Sequence, residues 1–168
     1  MNTRRNEVPQ DELSPEGQLE ALYDRPGFLI RRSHQIAQAL FEEEAEDIGL
    51  TASQMGALTV VHARGPLDQI GLARAMGVDR STAGLVLSNL AQHGLINRVS
   101  DPSDRRRKLI TITEAGLEAL RNVQPAALAV KERLLAVFTD QEANDLVRLL
   151  KKLVDTLNTE VRTPLYRD

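Results

Sequence analysis

The middle of the chain combines short helical patterns with a following pair of short strands. Glycine punctuates the helical patterns at Gly65, Gly77 and Gly94. After Gly94 the helical periodicity of apolar residues ends. Two segments rich in β-branched residues, 95–100 and 108–112, then flank the turn-forming residues 101–104. This order predicts a mainly α fold with a small β-hairpin, an α+β arrangement in which a helix-turn-helix pair precedes the hairpin.

Capping residues mark where the predicted helices begin. A first long helix begins near Pro26 and runs from about Gly27 to Ile48. Thr51 with Gln54 forms a capping-box pattern before a helix that ends near Arg64. Short helices follow at about 68–76 and 79–93. A further helix is predicted from Thr113 to about residue 138, with a bend at Pro125. The last helix begins at Thr139, where Glu142 completes a second capping box.

Composition excludes several classes of function. The chain has no cysteine and only three scattered histidines, so thiol chemistry and metal binding are not expected. No phosphate loop or nucleophile elbow occurs, which predicts no catalytic residues, no cofactor and no enzyme activity. No apolar run is long enough to span a membrane and the first residues are polar, so a cytoplasmic protein is expected.

Charge is distributed unevenly along the chain. The net charge is −3, yet residues 64–108 contain eight basic and four acidic side chains. A basic centre between acidic ends suggests a module that binds a polyanion, although chance clustering on a solvated face explains the charge equally well. A helix of the predicted pair fits the DNA major groove, and an arginine-rich hairpin tip can reach phosphates or a narrow minor groove. Together these features predict a winged helix-turn-helix that binds double-stranded DNA.

The predicted DNA-binding residues lie near the start of the second helix of the pair and at the hairpin tip. Helix-turn-helix proteins make most of their base contacts with the first part of the recognition helix. The alternative is an ordinary exposed helix face. The predicted residues are Arg80, Ser81, Thr82, Gly84, Ser88, Arg105, Arg106 and Arg107.

The segment Gln69–Thr82 resembles the helix-turn-helix of the MarR family of bacterial regulators. Gly94-Leu95-Ile96-Asn97-Arg98, followed by Asp101-Pro102-Ser103-Asp104-Arg105-Arg106, resembles that family's wing, and Leu109 to Thr113 with Gly116 resembles the closing strand and next helix. The resemblance implies a homodimer on pseudo-palindromic operator DNA, with Asp104 bracing the wing and Arg106 in the minor groove. Where this chain has Leu85 and Asn89, family members often carry arginine.

These features predict four regions. Residues 1–20 form a mobile arm, residues 21–50 an N-terminal helix of the dimerisation region, residues 51–117 the DNA-binding domain, and residues 118–168 a C-terminal helical dimerisation region. The apolar stripe of the last helix, between Leu146 and Leu157, fits a dimer seam better than a ligand groove.

A small set of polar residues near apolar helix faces predicts an effector site, since such groups can orient a small acid. The alternative is a buried histidine and solvated arginines. Residues 26–35 resemble the first helix of family members that regulate aromatic-acid catabolism, which implies a repressor released by an aromatic carboxylate or its coenzyme A thioester. A regulator of efflux or stress genes with another ligand, and a dimeric adaptor without DNA, remain alternatives. The predicted effector residues are Arg31, Arg32, Ser33, His62 and Arg64.

Overall fold

A computed structural model describes residues 14–104 and 106–167. Within these residues, seven α-helices and one β-hairpin follow in chain order. The helices are α1 (Pro15–Tyr23), α2 (Pro26–Glu44), α3 (Ala52–Arg64), α4 (Gln69–Met76), α5 (Arg80–Gln92), α6 (Glu114–Leu135) and α7 (Asp140–Leu157), and the strands are β1 (Ile96–Ser100) and β2 (Lys108–Ile112). The chain divides into two compact units, Met1–Ala39 and Leu40–Asp168.

Local capping chemistry sets most of the helix boundaries. Both predicted capping boxes are confirmed, at Thr51 before α3 and at Thr139 before α7. Gly77 ends α4 with a φ of 63°, a left-handed conformation that glycine adopts without steric cost. The prediction of a mainly helical fold with one β-hairpin wing is therefore confirmed, with element ends displaced by only a few residues.

Three boundaries differ from prediction. An arm was predicted for residues 1–20, of which residues 1–13 lie outside the described part of the chain. From Pro15 onward the chain is helical instead, because Ser14 caps α1 and proline is favourable in the first turn of a helix. Helix α2 ends at Glu44, and a 3₁₀ turn at Glu46–Ile48 follows. Helix α6 continues through Pro125 but ends at Leu135, three residues earlier than expected.

The core of the second unit lies between α3, α4, α5, α6 and the hairpin. Leu58, Leu72, Leu90 and Val123 have no exposed surface. Ile110 of β2 is also buried, and its backbone exchanges two hydrogen bonds with Leu67, the residue just before the α4 cap. The hairpin is therefore attached to the helical core on the side where α4 begins.

The segment after α7 returns to the helix-turn-helix. The side-chain amide of Asn158 donates to the carbonyl of Leu165 and accepts from its N–H, each at 2.8 Å. The N–H of Tyr166 donates to the carbonyl of Arg74 at 2.9 Å, and Nη2 of Arg64 donates to the carbonyl of Tyr166 at 3.0 Å. This C-terminal segment therefore contacts the ends of α3 and α4, an attachment that the sequence did not predict.

Candidate nucleic-acid interface

Helix α5 begins at an aspartate cap that also orders its first turn. Asp79 Oδ1 accepts from the N–H of Thr82 at 2.8 Å, and Oδ2 accepts from the Thr82 hydroxyl at 2.9 Å. These hydrogen bonds, followed by weaker ones from Ser81, lower the pKa of Asp79. The ionised carboxylate stabilises the positive end of the helix dipole. Arg80, Ser81 and Thr82 are thus placed, exposed, at the helix start.

The packing of α4 against α5 gives Gly84 a role in the protein itself. Nε2 of Gln69 donates to the carbonyl of Arg80 at 2.8 Å, so the glutamine side chain crosses from one helix to the other. A Cβ at Gly84 would lie 2.7 Å from that same Nε2. The glycine therefore makes room for an interhelical hydrogen bond, a role distinct from its predicted contact with DNA.

Two polar side chains further along α5 are held by neighbouring elements. The hydroxyl of Ser88, a predicted DNA contact, accepts from Nη2 of Arg98 in β1 at 3.3 Å. Oδ1 of Asn89 accepts a short hydrogen bond from Nε2 of Gln54 in α3. These bonds tie the second half of α5 to the neighbouring elements. In its first turn Arg80 is exposed and forms no ion pair with any residue in the described part of the chain.

The hairpin tip is ordered by two aspartates. Asp104, for which the family resemblance implies a bracing role, accepts at Oδ1 from the N–H of Arg106 at 3.0 Å. Asp101 accepts from both the hydroxyl and the N–H of Ser103, at 2.6 and 2.8 Å, and these bonds lower its pKa. Such aspartate turns hold a tight loop in one conformation.

Arg107 links the wing to the start of α4. Its Nε contacts Oδ2 of Asp68 at 2.7 Å, and its Nη1 lies 3.6 Å from Oδ2 of Asp101. Asp68 also caps α4 by accepting from the N–H of Gly71 at 2.8 Å. Burial raises the pKa of Asp68, but the hydrogen bonds from Gly71 and Arg107 outweigh burial and lower it. The structure therefore gives Arg107 a bracing role that the sequence did not predict.

Arg106 is an exposed cation of the described part of the wing. Its side chain is exposed, and its guanidinium has no ion-pair partner among residues 14–104 and 106–167. Arg105, also a predicted DNA contact, lies outside the described residues. Arg80 and Arg106 are thus both exposed, and each lies beside an aspartate that orders the local backbone.

The five predicted effector residues fall into both units. In the first unit, Arg31 stacks 5.0 Å from the centroid of the Phe28 ring, and Arg32 donates to Gln35 at 3.3 Å. Ser33 on the same helix is exposed. In the second unit His62 is exposed, so it does not lie on the apolar face of α3 near which it was predicted. Arg64 donates a hydrogen bond to the C-terminal segment.

Two surface depressions in the second unit have volumes of about 180 and 320 Å³. The first is lined by residues of α7 and the C-terminal segment, and the second by residues of α6 and the turn before α3. The predicted effector residues line neither of them. In the described part of the chain, acidic and histidine side chains form no group of three suited to a metal ion. Within the same residues, every helix is too short or too polar to cross a bilayer.

Comparison with known proteins agrees with this geometry. The MarR family model matches residues 50–108. A protein described as the transcriptional regulatory protein for the hcr operon of Thauera aromatica is 37% identical over 131 residues, which are 76% of this chain and 77% of that protein. The HTH-type transcriptional repressor NicR of Pseudomonas putida is 29% identical over 133 residues, covering 79% and 84% of the two chains.

A solved structure extends the similarity to the fold. Bordetella bronchiseptica BpsR, reported with the regulation of its DNA binding by 6-hydroxynicotinic acid, superposes with a TM-score of 0.74 at 28% identity. The match covers 79% of this chain and 95% of BpsR. From the braced wing, the capped recognition helix and these relatives, we conclude that the chain belongs to the MarR family of DNA-binding transcriptional regulators and is not an enzyme.

Proposed function

We propose that this protein is a homodimeric repressor that binds a pseudo-palindromic operator and releases it when a small aromatic carboxylate, or its coenzyme A thioester, binds. The observation that supports operator binding most directly is the pair of exposed arginines, Arg80 on α5 and Arg106 on the wing. Each belongs to an element whose geometry is already set by aspartate hydrogen bonds, so little ordering is needed when DNA binds.

The apolar face of α7 supports the homodimer. This helix has an acidic and basic outer face, and its apolar stripe remains substantially exposed in the single chain. Monomeric proteins seldom leave such a continuous stripe in water, because burying apolar surface against a partner is favourable. The exposed members of the stripe are Leu149, Leu150, Leu153, Val154 and Leu157.

Charges placed on this stripe are expected to separate the protomers. The double substitution Leu150→Glu, Leu153→Glu should yield a monomer in sedimentation equilibrium at micromolar concentration, whereas the unmodified chain sediments as a dimer. Point substitutions are preferable to truncation, since the segment after α7 bonds to α3 and α4. Lys151→Glu, which puts the same side chain off the stripe, is the matched control. A double variant that sediments as a dimer would reject α7 as the seam.

Relatives support the effector class. The DNA binding of BpsR is reported to be regulated by 6-hydroxynicotinic acid, an aromatic carboxylate, and NicR is named a repressor. In this chain Arg31 and Arg32 in the first unit and Arg64 in the second are each proposed as a carboxylate partner, because a guanidinium can hold a carboxylate by two hydrogen bonds. Arg64 donates one hydrogen bond to Tyr166, which leaves further donors on the same group. Ser33 and His62 are proposed to orient the ring.

Release is explained by population shift. A ligand that favours a protein state with mis-spaced recognition helices lowers operator affinity, and the effect is limited to its differential affinity for the two states. Half-sites one helical turn apart, about 34–36 Å, tolerate little change in that spacing.

Calorimetry with benzoates, hydroxybenzoates, hydroxycinnamates and their coenzyme A thioesters tests the effector class, alongside operator release by fluorescence anisotropy. At least one compound should bind and release DNA, and Ser33→Ala and His62→Ala should each weaken its binding. His34→Ala, an exposed position beside Ser33 and outside the proposed set, is the control. Absence of heat and release across the panel would reject the class. Unchanged affinity in both alanine variants would reject these residues as the site.

A further inference from the structure

Leu85 is an apolar side chain in the middle of the exposed face of α5. It is 74% exposed, whereas the other two leucines of the helix, Leu87 and Leu90, are 1% and 0% exposed. The hydrophobic core is therefore complete without Leu85. Single exposed leucines on protein surfaces usually need no explanation, so the position of this one has to be judged from its neighbours.

Of the four polar side chains one helical turn away from Leu85, three are hydrogen-bonded within the protein. On the N-terminal side, Thr82 hydrogen-bonds to the carboxylate of Asp79, and Ser81 contributes to lowering the pKa of that carboxylate. On the C-terminal side, Ser88 accepts from Arg98, and Asn89 accepts from Gln54. Residues three and four apart share a helix face, so these four surround Leu85 on the surface that it occupies. The centre of this face consequently offers an apolar contact, and three of the polar side chains around it are already hydrogen-bonded within the protein.

The position along the helix is that of a base-reading residue. Leu85 follows Arg80 by five residues, about 7.5 Å along the helix axis. The N-terminal part of a recognition helix is the part that meets base edges in the major groove. Among the groups displayed there, the C5-methyl of thymine is apolar, whereas the other groups donate or accept hydrogen bonds.

We propose that Leu85 packs against a thymine methyl group and thereby selects a T·A pair at one position of each operator half-site. This inference rests on the operator binding described above. Selection acts in two ways. Contact with the methyl group buries apolar surface on both partners. At a cytosine or guanine the same leucine would remove water from a polar base edge without offering a hydrogen bond, which is unfavourable.

Deoxyuridine substitution tests this proposal, since it removes only the methyl group from thymine. The probe is a duplex selected from a random pool by the unmodified protein, with each thymine replaced in turn by deoxyuridine, first in one half-site and then in both. At one symmetric position, affinity measured by anisotropy should fall roughly fourfold for one replacement and roughly fifteenfold for both, as expected for one buried methyl group per half-site.

The variant Leu85→Ala links that loss to the side chain. It should bind the thymine duplex more weakly than the unmodified protein and should show no additional loss on the deoxyuridine duplex. Because Leu85 is exposed, this substitution is not expected to impair folding. Val137→Ala truncates a similarly exposed residue, 79% accessible and outside α5, and should retain the full deoxyuridine effect.

The possible results distinguish failure of the Leu85 proposal from failure of operator binding. A deoxyuridine effect that persists in Leu85→Ala would overturn the proposal, because the methyl group would then be read elsewhere. Operator binding that is insensitive to every deoxyuridine replacement would also overturn it and leave the proposed function intact. If no duplex is selected from the pool at low salt, the proposed operator binding itself fails.

Discussion

Substitution of alanine for Gly116 is expected to destabilise the DNA-binding unit by about 3 kcal/mol or more. The added Cβ would lie 2.1 Å from the carbonyl oxygen of Leu95 and 2.8 Å from Cγ1 of Ile112. This clash can be relieved only if the backbone of α6 or of the hairpin moves, because the start of α6 is hydrogen-bonded to the segment that leads into the hairpin. The hydroxyl of Thr113 donates to the carbonyl of Gly94 at 2.7 Å, and its N–H donates to Leu95 at 3.1 Å.

Urea unfolding followed by circular dichroism measures this effect. The midpoint for Gly116→Ala should fall well below that of the unmodified chain, or the variant should fail to fold. Gly27→Ala is the control, since a Cβ there meets no atom within 4 Å and the position lies in the first turn of α2. That substitution should leave stability unchanged or raise it slightly. An unchanged midpoint for Gly116→Ala would show that α6 can move away from β1 at little cost.

The double variant Arg80→Ala, Arg106→Ala is expected to bind operator at least about a hundredfold more weakly. Loss of a base contact from Arg80 costs about 1–3 kcal/mol. Loss of Arg106 removes a phosphate contact, weakens binding on all sequences, and lowers the salt dependence by about one phosphate for each wing. If Arg106 reads a narrow A·T-rich minor groove, specificity at that position should fall as well.

Anisotropy titrations at several salt concentrations separate these contributions. Arg121→Ala is the matched control, because that arginine is exposed, pairs with Glu114 and belongs to α6 instead of the wing or α5. It should retain full affinity and the full salt slope. If the double variant bound operator with unchanged affinity, docking through the wing and α5 would be wrong, whatever the mode of dimerisation.

Elements coded by nearby residues were predictable from the sequence. The capping boxes at Thr51 and Thr139, the glycine after α4 and the β-branched strands all act within a few positions, so their patterns predict helices and strands directly. The prediction of an arm for residues 1–20 missed α1. Its signal is also local, because Ser14 as the cap and Pro15 in the first turn together start a helix.

The roles of individual residues in the binding surface depended on contacts between distant positions. Arg107 is held by Asp68, 39 positions away, and Arg64 by Tyr166, 102 positions away. Local periodicity contains no information on such pairs, which form only when the core brings their elements together. The sequence alone determined that the chain has a helix-turn-helix with an arginine-rich wing. Only the tertiary structure decided that Arg107 braces the wing while Arg106 remains outward, because only there does the hairpin meet the aspartate that caps α4.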